Sequence, residues 1–389
     1  MKVLAITQIW PNSLEPLRGP YNVQQFVELK KHVDVEVLAA VAYVPGAKLV
    51  GKPPRPALLA DLPPREVTSG ITTTYLRQLY LPRLGVPIAV PLYFASLLLH
   101  RKLLMSADVL LGTWAYPDGC ATILAAHALG KPCVVKVHGS DINFVAKMRS
   151  ARAVLRTVLP RVDAMVSVSR PLADEIEELG VPRAKIHVVQ NGVDTTAFCV
   201  RDKAEARRAL GLPLDKKIVL SVGRLEPHKG TIDLLDAWAR VREARSDVVL
   251  ALIGDGVSRP EVDARKAEWG DGLVAPGSRP FADIAQWMSA CDLFTLPSWM
   301  EGTPNAVLEA LASGRPAVGS DVGGIPDVLS DPRSGIVVPV KNPEALARGL
   351  LAALGRDWPA ESVRACGPGS WADSAAHLLD VIRSTLRHG

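Results

Sequence analysis

Short β-branched runs alternate with amphipathic segments along the whole 389-residue chain, and the alternation starts over once. In the first half, Val3–Gln8, Val35–Val41, Val109–Gly112, Cys133–Val137 and Ala164–Val168 read as strands. In the second half, Ile218–Val222, Val248–Ile253, Leu273–Pro276, Leu293–Pro297, Ala317–Ser320 and Gly335–Val338 do. Segments with helical spacing, such as Ile232–Arg245 and Ala306–Ala312, lie between them. This order predicts parallel sheets with helices on both faces. Val249-Leu250-Ala251-Leu252-Ile253 is apolar throughout, as a strand covered on both faces must be. The restart follows Ile186–Val189 and the turn-rich Gln190-Asn191-Gly192-Val193-Asp194, and a new strand opens after Lys216. The expected architecture is α/β: two Rossmann-like, doubly wound domains facing across a cleft, residues 1–192 and 193–371, with a last helix from 372 to 389 packing back on the first. Open α/β sheets bind ligands beyond the carboxyl ends of their strands, so functional loops are expected there.

Bulk chemistry narrows the function classes. Hydrophobic residues make up 48% and charged residues 22%, which is globular rather than disordered composition. Five cysteines, at 120, 133, 199, 291 and 366, form no CxxC pair, which argues against a disulfide framework or zinc site. Met1–Ile6 is too short an apolar run for a signal peptide, and Ile88–Leu99, which contains Pro91, is too short to span a bilayer. A cytoplasmic protein, able to lie peripherally on the inner face of the membrane, is expected. Residues 1–190 carry 22 lysines and arginines against 14 acids, so the basic excess belongs to the first half. Those basic residues lack interleaved aromatics, and nucleic acid is not an expected partner. The proline-rich stretch 47–66 reads as a surface loop or lid.

The strongest motif runs Ser298-Trp299-Met300-Glu301-Gly302-Thr303-Pro304-Asn305-Ala306-Val307-Leu308-Glu309. A strand ends before it, a loop holds Glu301, and a helix starts near Pro304 or Asn305. Glu309 then sits about one turn in. Loop amides and a helix N-terminus suit phosphate or sugar hydroxyls, so Gly302, Thr303, Asn305, Ala306 and Val307 are candidate donor-binding positions. A carboxylate can accept two hydroxyl hydrogen bonds from a polyol. Either glutamate alone would pass for an ordinary helix or cap residue; the whole string would not.

The second motif, Gly223-Arg224-Leu225-Glu226-Pro227-His228-Lys229-Gly230, directly follows the first strand of the second half. Arg224 and Lys229 can converge on a diphosphate and stabilise the charge that grows on a leaving nucleoside diphosphate. No Asp-x-Asp metal site is found, so neither a metal nor a cofactor is expected.

These strings resemble family four of the glycosyltransferases, the large retaining group with the GT-B fold. Glu301 and Glu309 match its E-x7-E element, and Gly223-Arg224 with Lys229-Gly230 matches its diphosphate-binding element. The resemblance implies that Arg224 and Lys229 hold the donor diphosphate, Glu301 contacts the donor sugar and Glu309 the ribose, without metal and with retention. It also implies a nucleobase site near Pro276-Gly277-Ser278-Arg279, through Gly277 and Arg279. Arg18-Gly19-Pro20 stands where the family has a glycine loop near the donor phosphates; Pro20 has no amide hydrogen, which leaves Gly19 as the candidate. Val137-His138-Gly139-Ser140-Asp141 matches its His-Gly-x-Asp element, placing His138 beside the transferred sugar and making Asp141 a candidate for acceptor contact or local charge. Gly254-Asp255-Gly256 is not a dinucleotide fingerprint, since Arg259 stands where the third glycine should be.

The expectation is therefore a retaining glycosyltransferase that uses a nucleoside-diphosphate sugar, UDP- or GDP-linked, and a glycan or lipid-linked acceptor in bacterial surface polysaccharide synthesis. A sugar-nucleotide epimerase and a non-enzymic sensor are the alternatives. Arg149, Arg152 and Arg156 fall on one helical face, and Leu97–Leu104 adds a basic-apolar patch, which together suggest an anionic membrane surface as a partner.

Overall fold

Alternate residues of the apolar runs go to opposite faces of their sheets. Leu4 and Ile6 enter one core while Val3 and Ala5 enter another; Ile218 and Leu220 are likewise separated from Val219. This is the period-two geometry of a strand with helices on both sides. The computed structural model describes residues 1–16, 18–44, 55–59, 61–79 and 85–388. Its chain forms two compact units, Met1–Asn191 with Trp371–Gly389, and Gly192–Ser370.

The first unit holds β1 (Lys2–Thr7), β2 (Asp34–Tyr43), β3 (Arg65–Thr68), β4 (Ile71–Leu79), β5 (Val109–Thr113), β6 (Cys133–Lys136), β7 (Ala164–Ser167) and β8 (Ile186–Val188). They form one sheet in the order β3-β4-β2-β1-β5-β6-β7-β8. Only the β3–β4 pairing is antiparallel. The helix Trp371–His388 belongs to this unit and buries Ala375, Leu378, Leu379, Val381 and Ile382 in its core. Each larger side chain among these contributes about 1.5–3 kcal/mol by leaving water.

The second unit holds β9 (Lys217–Val222), β10 (Val248–Ile253), β11 (Leu273–Gly277), β12 (Leu293–Leu296), β13 (Ala317–Ser320) and β14 (Gly335–Val338). Their order is β11-β10-β9-β12-β13-β14, all parallel. The chain thus winds outward in one direction from β9, returns, and continues from β12 in the other. The strand order reverses between β9 and β12, and in the first unit between β1 and β5. A doubly wound sheet opens a crevice at such a reversal.

Two features differ from the sequence expectation. Ile71–Leu79 is a nine-residue strand within the sheet, between β2 and β3, that the sequence reading passed over. In the proline-rich stretch, residues 47–54 and 60 lie outside the described residues, while Arg55–Leu59 is helical and Arg65 opens β3. Among the described residues no helix is long and apolar enough to cross a membrane.

Candidate active site

In the second unit, the loops after β9 and β12 leave the sheet side by side because their strands are hydrogen-bonded neighbours. Between them lies a cavity of about 210 Å³ lined by Gly223, Arg224, Lys229, Glu301, Thr303 and Asn305, among others. The two loops touch closely: Gly230, with φ +72°, presses against the Pro297 carbonyl so tightly that a Cβ there would overlap it. The helix Asn305–Ala312 starts at the cavity wall, with Pro304 before it.

Lys229 Nζ lies 2.7 Å from Glu301 Oε1, both side chains being half-buried or more. Ser298 Oγ donates to the same oxygen at 2.7 Å. Arg224 is exposed and its Nη1 lies 2.7 Å from Glu226 Oε1. One cavity wall therefore carries two cations, a carboxylate and a helix N-terminus. Such an arrangement suits a multiply charged anion joined to a hydroxyl-bearing group.

The other candidates of this unit are distributed unevenly. Gly302 is adjacent to Glu301 and its carbonyl accepts the Gly324 amide at 2.9 Å. Ala306 lines the cavity. Val307 is fully buried in the core, and its amide already bonds the Pro304 carbonyl at 2.8 Å. Glu309 is not among the residues lining the cavity. Burial pushes its carboxyl up to about 8, and no donor pairs with it among the described residues. Gly277 ends β11 and accepts the Gly254 amide at 3.1 Å; Arg279 is exposed and donates to the neighbouring Ser278 carbonyl at 3.1 Å. The Gly254-Asp255-Gly256 turn packs on the β9 loop, with Leu225 N–H donating to the Asp255 carbonyl at 2.9 Å, which makes it part of the scaffold.

In the first unit, Gly19 opens the helix Pro20–Lys30 with φ +63°. Arg18 Nε donates to the Gln8 carbonyl at 2.9 Å, tying this loop to the end of β1. His138 follows β6, and its ring lies 4.8 Å from that of Tyr21 and 6.2 Å from that of Trp114. Its Nε2 is enclosed and unpaired among the described residues. Burial, reinforced by the Lys136 charge, pushes the imidazole well below its usual range, so it is neutral at pH 7. The sequence makes Asp141 a candidate for acceptor contact or local charge; in the structure its carboxylate is fully buried and taken up by backbone amides. It accepts from Ala115 at 2.8 Å, Gly139 at 2.8 Å and His138 at 3.2 Å. Its place is to shape the turn that carries His138.

Several residues at these sites escaped the sequence reading. Asp118 is fully buried at the β1/β5 reversal, accepts the Gln8 amide at 2.6 Å, and is pushed up to about 8 by burial. Trp114 holds φ +89°, a strained conformation for a bulky residue, where the chain leaves β5. Lys136 is fully buried and donates to Gln25 Oε1 at 2.6 Å. A lysine inside an apolar strand was the visible signal for it. Among the described residues no group of three His, Cys, Asp or Glu is placed to hold a metal ion.

Comparison with known proteins adds the family. Residues 216–356 match the family model described as Glycosyl transferases group 1, and residues 51–197 the one described as Glycosyltransferase Family 4. TuaC of Bacillus subtilis (strain 168), a glycosyltransferase named for teichuronic acid biosynthesis, is 27% identical over 371 residues, covering 90% of this chain and 88% of that protein. A D-inositol 3-phosphate glycosyltransferase of Segniliparus rotundus is 36% identical over 220 residues, 53% of this chain. That match spans about half of the relative's own length, 48%. Among solved structures, Anabaena Alr3699/HepE in complex with UDP aligns with a TM-score of 0.74 at 19% identity, covering 99% of this chain and all of that one. Sucrose-phosphate synthase of Thermosynechococcus elongatus aligns with a TM-score of 0.74 at 18% identity over the full length of both. At these identities the structural likeness speaks for the fold.

Proposed function

Because the chain belongs to family four of the glycosyltransferases, with the GT-B fold, we propose that it transfers a sugar from a nucleoside-diphosphate sugar to an acceptor hydroxyl, with retention at the anomeric carbon. The Lys229–Glu301 pair in the cavity at the β9/β12 reversal carries this reading. Lys229 and Arg224 hold the diphosphate, and the N-terminus of Asn305–Ala312 faces the same charge. As the glycosidic bond breaks, negative charge accumulates on the leaving diphosphate, and fixed cations in a partly desolvated wall stabilise it more than water would. Glu301 accepts from donor-sugar hydroxyls once the diphosphate has claimed Lys229. Glu309, partly buried and without a hydrogen-bond donor among the described residues, gains donors when ribose hydroxyls reach it. The acceptor oxygen attacks on the face the diphosphate leaves, and the leaving phosphate takes its proton. Neither a metal nor a cofactor is required beyond the sugar nucleotide.

The HepE structures contain UDP and UDP-glucose, and TuaC is named for a cell-surface polymer. These favour a UDP-sugar donor and an acceptor in surface polysaccharide synthesis. The acceptor carrier is proposed to be a lipid. Phe144 and Met148 are exposed apolar side chains beside Arg149 and the Arg149–Val158 helix, which also carries the exposed Arg156. In the Leu97–Leu104 patch Leu97 and Leu104 are buried, while Leu98, Leu99, Arg101 and Lys102 are exposed. Flotation with vesicles containing anionic lipid tests this surface; absence from the vesicle fraction at low salt would remove it from the proposal.

The activity itself is tested by offering UDP-, GDP- and ADP-sugars and following release of nucleoside diphosphate with and without extracted glycolipid acceptors in EDTA. Acceptor-dependent release with an unchanged anomeric configuration is the expected result. Release or epimerisation without acceptor, or a strict need for divalent metal, would contradict it.

A further inference from the structure

Trp299 lies in the Glu301 loop but lines no part of the cavity. It is nevertheless tied on three sides. Its backbone N–H donates to the His228 carbonyl at 2.9 Å, one residue before Lys229. Its indole Nε1 donates to Asp233 Oδ2 at 2.6 Å. Asp233 sits in the first turn of the helix Thr231–Ala244, which starts immediately after the Lys229-Gly230 loop. Lys341 Nζ, from the segment after β14, covers the ring at 4.4 Å from its centroid. Lys341 holds φ +55°, a left-handed conformation that lysine seldom adopts, so the surrounding structure fixes it there.

We propose that Trp299 is a positioning residue for the donor site: bridging His228 and Asp233, it sets the Glu301 loop in register with the Lys229 loop. The inference rests on the donor reading given above. Its physical basis is geometric. The Lys229–Glu301 contact joins two loops far apart in sequence, and each loop has several side-chain torsions with which to lose it. A donor hydrogen bond to a carboxylate, made by a rigid two-torsion side chain and capped by a cation, removes that freedom at one point. Misplacement of such loops by an ångström weakens every contact made to the ligand at once.

The test is direct binding of UDP, GDP and ADP by titration calorimetry, with thermal unfolding as a control. Trp299→Phe keeps a ring under Lys341 and deletes the indole donor. It is expected to raise the Kd of the best-bound nucleotide about tenfold, the loss typical of one hydrogen bond to a charged group. Asp233→Ala should do the same, and the double variant should be no weaker than either single one, because both remove one contact. Asp233→Asn retains an acceptor oxygen and should bind within about twofold of wild type, since the neutral acceptor keeps most of the geometry. If wild type binds nucleotide and Trp299→Phe binds it equally well, or lowers only the unfolding temperature, the positioning role is overturned while the donor reading stands. If the two single losses add in the double variant, the Trp299–Asp233 bridge is not the device. If wild type binds none of the three nucleotides, the donor reading fails and this inference with it.

Discussion

Lys229 Nζ and Glu301 Oε1 meet at 2.7 Å across two loops separated by 72 positions in the chain. The lysine proposed to grip a diphosphate is thus held by the carboxylate proposed to grip a sugar. On the proposed reading, donor binding would exchange this ion pair for two ligand contacts, so that neither partly buried charge is left unpaired.

Lys229→Met keeps the length of the side chain and removes its charge. Turnover should fall by about 100-fold or more, as expected for losing one fixed charge contact to the transition state. Glu301→Gln should lower turnover comparably while leaving affinity for free nucleoside diphosphate equal or higher, since Lys229 keeps a neutral acceptor but loses the opposing charge. Steady-state kinetics beside nucleotide titration separate the two outcomes.

Gly323 has φ +52°, and a Cβ there would overlap the Glu301 carbonyl. Its neighbour Gly324 donates to the Gly302 carbonyl at 2.9 Å. Gly323→Ala should therefore push the Glu301 peptide out of position and weaken nucleotide binding by more than tenfold, an effect of about 1.4 kcal/mol or more. Binding by the variant at the wild-type level would show that the Glu301 loop can shift without consequence.

The two motifs around Arg224–Lys229 and Glu301–Glu309 stood out in the sequence because each is continuous and follows a strand-like run. What fixes them was not legible there. Trp299, Asp233 and Gly323 act through contacts between segments that follow different strands, and no local spacing announces such contacts. The strand positions followed the same logic. Val109–Gly112 was read and observed as Val109–Thr113, because apolar β-branched runs declare buried parallel strands. Ile71–Leu79 was passed over because its threonines, Thr72, Thr73 and Thr74, mask a β-branched run as polar sequence. The burial of Asp141 could not be anticipated either, because its Ala115 amide partner comes from the turn after a different strand.

Lys136 supplies a pH dependence with a definite sign. Burial pushes its ammonium down to about 7, whereas in the unfolded chain it titrates near ~10.4. Between these values the unfolded chain holds a proton that the folded chain lacks, so this group makes stability rise from about pH 7 to about pH 10. Below about 7 the folded state must carry a buried cation, and the contribution is at its least favourable. Urea denaturation of wild type and Lys136→Met at a series of pH values measures the difference. A pH slope between 7 and 10 that is unchanged in the variant would show that Lys136 is not its source.

His138 has a neutral, enclosed imidazole, set by the Asp141 turn. His138→Ala should lower turnover by about 100-fold, within the range of a lost positioned polar group, and leave nucleoside-diphosphate affinity unchanged. Equal losses in turnover and in nucleotide affinity would mean that the residue supports the fold rather than transfer.

On the proposed reading, the cavity at the β9/β12 reversal binds a nucleoside diphosphate through Lys229 and its neighbours. Calorimetric titration of wild type and Lys229→Met with UDP, and with GDP and ADP in turn, tests it most directly. Wild type should bind at least one nucleotide saturably, and the variant should bind it about 50-fold or more weaker, the scale of a charge-assisted phosphate contact of more than about 2 kcal/mol. Equal affinity in the two proteins, or no binding by wild type, would contradict it.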